Sequence, residues 1–183
     1  MNEKNIKRVS KFLSLILRHN PQKINLELDE NGWANVEELL EKSNKNNTRF
    51  SMETLEEVVE TNDKKRFTFN DDKTKIRANQ GHSIKTIDLE LKPIKPPTFL
   101  YHGTVGKFMK SIRAEGLQKM SRQHVHLSSD LETATKVGSR RGQAIILSIR
   151  TKDMHNKGYT FYKSKNDVWL TDKVPPEFID FKD

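Results

Sequence analysis

The chain has 183 residues, room for one large domain or two small ones, and 33 Lys and Arg against 25 Asp and Glu leave a formal net charge of +8. A surface of that sign attracts polyanions, nucleic acid first, although charge confers affinity without identity. With no cysteine there is no disulfide, thiol nucleophile or Cys-based zinc site, and with neither an apolar run of membrane-spanning length nor a secretory leader the chain reads as soluble and cytoplasmic.

Apolar residues Ile6, Val9, Phe12, Leu13, Ile16 and Leu17 recur at helical spacing and predict an amphipathic helix with Lys7, Lys11 and Ser14 opposite. Pro21 disfavours helical geometry at Asn20, so the helix should stop near Arg18-His19, where cationic groups suit the carbonyl end of the dipole. Advancing 100° per residue puts Arg18 on the side of Lys7 and Lys11, a solvated basic face. Asp29-Glu30-Asn31-Gly32 is turn chemistry, followed by Trp33 as a core anchor. Asn35 can cap a helix carrying Val36, Leu39 and Leu40, and Ser51 one carrying Met52, Leu55, Val58 and Val59, with Lys42 to Thr48 as a loop between them.

Phe67 and Phe69 alternate with Arg66 and Thr68, and Asn70-Asp71-Asp72 turns the chain into a second strand with Ile76 and Ala78 on one face. Burying the two phenylalanines sends Arg66 to the opposite surface. Three helices and a hairpin suggest a winged-helix lobe, a common nucleic-acid-binding arrangement. The hairpin runs into Ile76-Arg77-Ala78-Asn79-Gln80-Gly81-His82-Ser83, the stretch at which a basic first half gives way to a different second half. Gln80, His82 and Ser83 offer hydrogen-bonding groups around Gly81, which permits positive φ and a close ligand, and a phosphate would suit that edge. On local composition alone it is an exposed turn.

Thr86 to Leu91 alternate as a strand, and Lys92-Pro93-Ile94-Lys95-Pro96-Pro97 is stiff and charged, giving a first lobe over 1–84, a connecting segment over 85–97 and a second lobe over 98–183. In the second lobe, Phe99-Leu100-Tyr101 reads as a strand ending at His102-Gly103-Thr104, and Lys107 to Ala114 as a helix stopped by Gly116. His124-Val125-His126-Leu127 is a strand, Leu131 to Val137 a helix, and Ala144 to Ile149 a buried strand. Tyr159 to Tyr162 and Val168-Trp169-Leu170 form a hairpin, and Phe178 to Phe181 a last strand. The whole is expected to be α+β, a helical lobe followed by a mainly β lobe.

No Walker loop and no Gly-x-Gly-x-x-Gly is present, which argues against a P-loop enzyme or a dinucleotide Rossmann unit. His124 and His126 share a strand face at a chelating spacing, but without a third ligand motif or a cysteine no metal is expected. Gly138-Ser139-Arg140-Arg141-Gly142 has the form of an anion-binding turn, a weak signal by itself.

Taken in order, Leu17-Arg18-His19, Asn62-Asp63-Lys64-Lys65-Arg66-Phe67, Arg77 to Ser83, Tyr101-His102-Gly103-Thr104, His124 to Ser128 and Val168-Trp169-Leu170-Thr171 carry one pattern. Through them the chain resembles the RNA 2′-phosphotransferases, also called tRNA 2′-phosphotransferases, over essentially its whole length. The resemblance implies a winged-helix RNA lobe and a lobe of the ADP-ribosyltransferase fold that binds NAD without a Rossmann motif. It implies a catalytic set on Arg18, His19, Arg66 and Arg140, the last preferred over Arg141 because the family spacing is Gly-x-Arg-x-Gly. The NAD signature falls on His102 and His126, with Tyr101, Gly103 and Thr104 beside the first and Leu127 and Ser128 beside the second. Gln80 and His82 are assigned to RNA phosphates. Where many ADP-ribosyltransferases carry a catalytic Glu, Val168 stands here, and the adjacent Asp167 should point to the opposite strand face.

The implied partners are NAD as co-substrate and a 2′-phosphorylated RNA, tRNA among the candidates, with no membrane and no obligate protein partner. Two competing readings remain at this level: a catalytically silent winged-helix binder of nucleic acid, and an ADP-ribosyltransferase that caps nucleic-acid ends or bases.

Overall fold

Val9, Leu13, Ile16 and Leu17 form one fully buried stripe along α1 (Glu3–Arg18). Burying an aliphatic side chain contributes roughly 1.5–3 kcal/mol, so packing of this stripe, more than helix propensity, holds α1. The helix ends before Pro21, as its sequence predicts, and Asn20 Oδ1 accepts the Lys23 N–H at 3.1 Å to start a short 3₁₀ turn.

The computed structural model describes residues 3–181, which fall into two compact units divided between Glu90 and Leu91. In the first, Asp29 Oδ1 accepts the N–H groups of Asn31 at 3.0 Å and Trp33 at 2.9 Å, shaping the turn into β1 (Ala34–Asn35). Asn35 Oδ1 then caps α2 (Val36–Lys45) through the Glu38 N–H at 2.9 Å, and Ser51 Oγ caps α3 (Met52–Glu60) through the Thr54 N–H at 3.3 Å. Both caps agree with the sequence reading. β2 (Phe67–Phe69) and β3 (Lys75–Ala78) pair antiparallel with Phe67 opposite Ala78 and Phe69 opposite Ile76, in a sheet of order β1-β3-β2. Phe67, Ile76 and Ala78 join the α1 stripe, Leu39, Leu55 and Val58 in one apolar core.

Trp33 is a correction. It is half-buried, and instead of anchoring the core it lies under the Arg77 guanidinium, whose Cζ is 4.5 Å from the ring centroid. The alternation at Thr86 to Leu91 is a second one: Ile87 and Leu89 are buried, but the segment pairs with no strand. It is held instead by the Asp88 N–H donating to the Glu30 carbonyl at 2.8 Å and by Asn31 Nδ2 donating to the Asp88 carbonyl at 2.9 Å. Alternate burial needs only two faces of different polarity, which a loop laid over a core also has.

The second unit begins by tying its proline-rich entry to its body, the Ile94 N–H donating to the Phe161 carbonyl at 2.9 Å. Its strands are β4 (Leu100–Val105), β5 (Leu117–Gln118), β6 (Val125–Leu127), β7 (Ala144–Ile149), β8 (Phe161–Lys163), β9 (Trp169–Thr171), β10 (Lys173–Val174) and β11 (Ile179–Asp180). Its helices are α4 (Met109–Glu115), preceded by a 3₁₀ turn, α5 (Leu131–Gly138) and α6 (Thr151–Asn156). The strands form sheets of order β11-β7-β4 and β6-β9-β8, plus the pair β10-β5. The apolar β7 is the central strand of its sheet, with Leu147 and Ile149 buried on one face and the rest of the strand half-buried. β4 runs through His102-Gly103-Thr104 to Val105 instead of ending there, because all six residues pair with β7. Helix and strand are thus mixed throughout, the α+β class the sequence predicts.

Two details position the site. Tyr101 and Ser128 exchange backbone hydrogen bonds of 2.8 Å, an isolated bridge that ties β4 to the end of β6. Gly103 lets α5 lie on β4, since a Cβ there would fall 1.8 Å from the Ala134 carbonyl oxygen.

Candidate active site

In the first unit, the segment after β3 returns to the end of α1. The Ser83 N–H donates to the Arg18 carbonyl at 2.9 Å, and Ser83 Oγ lies 3.0 Å from His19 Nδ1. Gly81 makes the return possible with φ of 86°. A Cβ there would sit 3.6 Å from Arg18 Cζ, ordinary contact, so the backbone angle and not crowding calls for glycine. Arg18 does not join a solvated basic face: its Nε and Nη2 are buried, and its Cζ lies 5.9 Å from the Phe67 ring centroid.

Nor is Gly81-His82 an exposed turn. His82 is 1% exposed, and neither ring nitrogen has a hydrogen-bond partner. Burial, and then the charges of Arg18, His19 and Arg77, push its pKa down to about 4, so the ring is neutral near pH 7. This placement differs from that of a group reaching out to an RNA phosphate: an enclosed imidazole presents no nitrogen to solvent. Gln80 is half-buried, with its Oε1 enclosed and unpartnered, as is Arg77 Nε. Such orphaned atoms are rare in folded proteins and concentrate at functional places. Arg77 itself donates through Nη1 to the Asn31 carbonyl at 3.3 Å and lies 3.9 Å from a Glu90 carboxylate oxygen.

Arg66 precedes β2 and is half-buried. Asn62 Oδ1 accepts from its Nη1 at 3.3 Å and from its backbone N–H at 3.4 Å, while Asn62 Nδ2 donates to Ser10 Oγ on α1 at 3.2 Å. On the other side, the Asn79 N–H donates to the Arg66 carbonyl at 2.9 Å, and Asn79 Nδ2 to the Lys65 carbonyl at 2.6 Å. Two asparagines therefore fix Arg66. Both asparagines stand in motifs quoted above, but the sequence reading gives neither a role, although an asparagine opening the Asp63-Lys64-Lys65 turn is a local signal for one.

In the second unit, the Tyr101–Ser128 bridge sets His102 beside His126. His102 Nδ1 donates to the His126 carbonyl at 3.0 Å, which leaves its Nε2 as an acceptor. Burial foremost, and the Arg122 charge after it, lower the His102 pKa, opposed by the bond to the His126 carbonyl. His126 Nδ1 lies 3.3 Å from Arg122 Nη1. Gly103 and Thr104 face inward, the first against α5 and the second buried, and Leu127 is a core residue at 1% exposure. Tyr101 and Ser128 are half-buried. His124 goes its own way, stacking edge-on against Tyr162 at 5.6 Å instead of joining His126. Among the described residues no group of three or more His, Cys, Asp or Glu could hold a metal.

Arg140 and Arg141 lie in a 3₁₀ turn after α5, both exposed. Arg141 Cζ lies 5.9 Å from the Phe108 ring centroid, whereas no ion pair is formed by Arg140 among the described residues. Val168 enters β9 without a carboxylate. Asp167 is not on a strand face at all: at φ of 62° it sits in the turn before β9, exposed and paired with Lys163 at 3.0 Å.

The RNA 2′-phosphotransferase, Tpt1 / KptA family model matches residues 4–173, running through both units. The chain is 63% identical over 182 residues to a Flavobacterium johnsoniae protein named "Probable RNA 2′-phosphotransferase", with both chains covered in full. A Fusobacterium nucleatum protein of the same name is 57% identical over 175 residues, covering 95% of this chain and 97% of that one. A third, from Rhodopirellula baltica, is 51% identical over 179 residues, covering 98% and 97%. With a family match that takes in nearly every residue of both units, and with relatives aligned from end to end, the chain belongs to the RNA 2′-phosphotransferase, Tpt1 / KptA family.

Proposed function

We propose that this protein is a transferase that removes an internal 2′-phosphate from RNA at the expense of NAD, leaving a 2′-hydroxyl and releasing nicotinamide and ADP-ribose 1″,2″-cyclic phosphate. The observation that carries the reading is the family match through both units, residues 4–173. Local geometry supports it: His19 is tied to Ser83, Arg66 to Asn62, and His102 to the His126 carbonyl.

In this reading the first unit is a winged-helix lobe that binds RNA and the second an ADP-ribosyltransferase-like lobe that binds NAD. The 2′-phosphate attacks C1″ of the nicotinamide ribose, nicotinamide leaves through an oxocarbenium-like state, and a 2′-phospho-ADP-ribosyl RNA results. The ribose 2″-hydroxyl then attacks the linking phosphorus, expelling the RNA 2′-oxygen, which takes up a proton. A phosphate ester is already anionic near neutrality, its second pKa being about 6, so no carboxylate is needed to create the nucleophile. Val168 in place of Glu, with Asp167 engaged by Lys163, is consistent with that economy.

Arg18 and Arg66 bind and orient the phosphate, Arg140 stabilises charge on phosphorus, and His19 positions the phosphate or donates the proton to the leaving oxygen. Gln80 borders the phosphate-binding surface, and the enclosed His82 supports it from behind without touching the phosphate. His102 and His126, with Tyr101, Gly103, Thr104, Leu127 and Ser128, form the NAD site. No helix among the described residues is long and apolar enough to cross a membrane; a cytoplasmic setting and a tRNA substrate are part of the proposal.

The test is a short RNA carrying one internal 2′-phosphate, incubated with and without NAD and resolved by thin-layer chromatography. Cyclic phosphate and 2′-hydroxyl RNA should form only with NAD. Accumulation of an ADP-ribosylated RNA would assign the protein to end or base capping instead, and binding without nicotinamide release would leave it a nucleic-acid binder.

A further inference from the structure

Charge is shared unevenly among the helices of the first unit. α1 carries Lys4, Lys7, Arg8, Lys11 and Arg18 against one acid, Glu3, whereas α3 carries Glu53, Glu56, Glu57 and Glu60 and no base. In the winged-helix reading of this unit α3 takes the place of the recognition helix, the one that helix-turn-helix domains lay in a groove. Four carboxylates on that helix repel phosphates instead of binding them. The hairpin does not make up the difference: Asp71 and Asp72 stand in its turn, Lys73 is paired with Glu56 at 2.6 Å, and Lys75 with Asp29 at 3.5 Å.

On α1 the geometry is the reverse. At 3.6 residues per turn, Lys7, Lys11, Ser14 and Arg18 fall within an arc of about 60°, away from the buried stripe, and a rise of about 1.5 Å per residue sets Lys11 about 6 Å and Arg18 about 16 Å along the axis from Lys7. Arg18 is tucked against Gly81 at the end of this row, whereas Lys7 and Lys11 are exposed, and among the described residues neither lysine forms an ion pair. Ser10 borders the row, and its Oγ accepts from Asn62 Nδ2 at 3.2 Å, which brings the loop that leads to Arg66 alongside. Both arginines assigned to the 2′-phosphate in the first unit therefore belong to the helix that carries the row or to the loop tied to it. Glu3 at the outer end and Asp63 on that loop, both exposed, are the acids bordering it.

We propose that single-stranded RNA flanking the 2′-phosphate on one side runs along α1, its phosphates lying first against Lys11 and then against Lys7, while α3 and the hairpin stay clear of it. The proposal rests on the first unit serving RNA, as the proposed function has it. Exposed ammonium groups that no carboxylate neutralises, spaced along a straight rod, suit a polyanionic backbone that tracks a charged surface. Contacts of this kind position the strand and carry no base preference.

The experiment measures binding of fluorescent RNAs in the absence of NAD, so that no turnover occurs. One is a dinucleotide with a single internal 2′-phosphate, and two others lengthen it by several unpaired nucleotides on the 5′ side or on the 3′ side. Wild type should bind one of the lengthened RNAs roughly tenfold more tightly than the dinucleotide, the gain from two exposed charge contacts. Lys7→Gln/Lys11→Gln should lose that gain, lower the slope of log affinity against log salt by about 1.4, and leave affinity for the dinucleotide unchanged. Lys73→Gln/Lys75→Gln, which removes the same charge from the hairpin, should bind every RNA as wild type does. A gain that survives in Lys7→Gln/Lys11→Gln, no gain from either extension, or an equal loss in the hairpin variant would overturn the proposal. Should wild type bind these RNAs yet release no nicotinamide once NAD is added, the proposed function fails, and the comparison of variants still decides where the strand runs.

Discussion

His82 makes the first unit sensitive to acid in a calculable way. Its folded pKa of about 4 lies below the ordinary 6.5, because the ring is enclosed and faces Arg18, His19 and Arg77. Between those values the unfolded chain binds a proton that the folded chain does not, so stability rises with pH across that window and falls as pH drops through it. From about pH 7 to about pH 5 the loss amounts to about 2 kcal/mol, flattening below about pH 4, where both states are protonated. His82→Gln removes this contribution and leaves the other titrating groups in place. The two tryptophans lie in different units, so Trp169→Phe leaves Trp33 as a reporter of the first unit alone. Urea unfolding in that background, followed by fluorescence, should give a wild-type stability that drops about 2 kcal/mol more than that of His82→Gln between the two pH values. Parallel curves would refute the argument that His82 is buried neutral.

Arg66→Ala and Arg140→Ala should each abolish detectable cyclic phosphate while leaving the urea midpoint within error of wild type, since each lost charge-assisted bond costs roughly 1.5–3 kcal/mol of phosphate binding or transition-state stabilisation; wild-type turnover in both would contradict the assignments. Asn62→Ala frees the Arg66 side chain and should raise KM for RNA roughly tenfold with KM for NAD unchanged; a loss confined to NAD would place Asn62 elsewhere in the mechanism. Gly103→Ala forces a methyl to within 1.8 Å of the Ala134 carbonyl oxygen, so α5 must shift and the second unit should lose about 3 kcal/mol or more, read as the Trp169 unfolding transition. An unaltered transition there would mean that α5 does not rest on β4 as described.

The elements were legible where the signal is local. The α1 stripe, the Asn35 and Ser51 caps, the Phe67/Phe69 alternation and the apolar β7 each depend on residues within a turn or two of one another, and each forms where its sequence predicts. Trp33 misled for the same reason. Its neighbours say that it is apolar and near a turn, but whether it enters the core depends on Arg77, forty-odd positions later, lying across its ring.

What the sequence by itself determined is therefore the longer helices and strands, the basic character, the lack of cysteine ligands, and a set of motifs that place the chain in its family. Tertiary structure alone decided that His82 is enclosed and neutral, that Asn62 and Asn79 fix Arg66, and that Gly103 receives the backbone of α5. The reason is physical. Caps and amphipathic stripes draw their energy from contacts a few residues apart, whereas the protonation state and direction of a polar side chain depend on burial and on charges brought near by distant segments, and no local pattern encodes those.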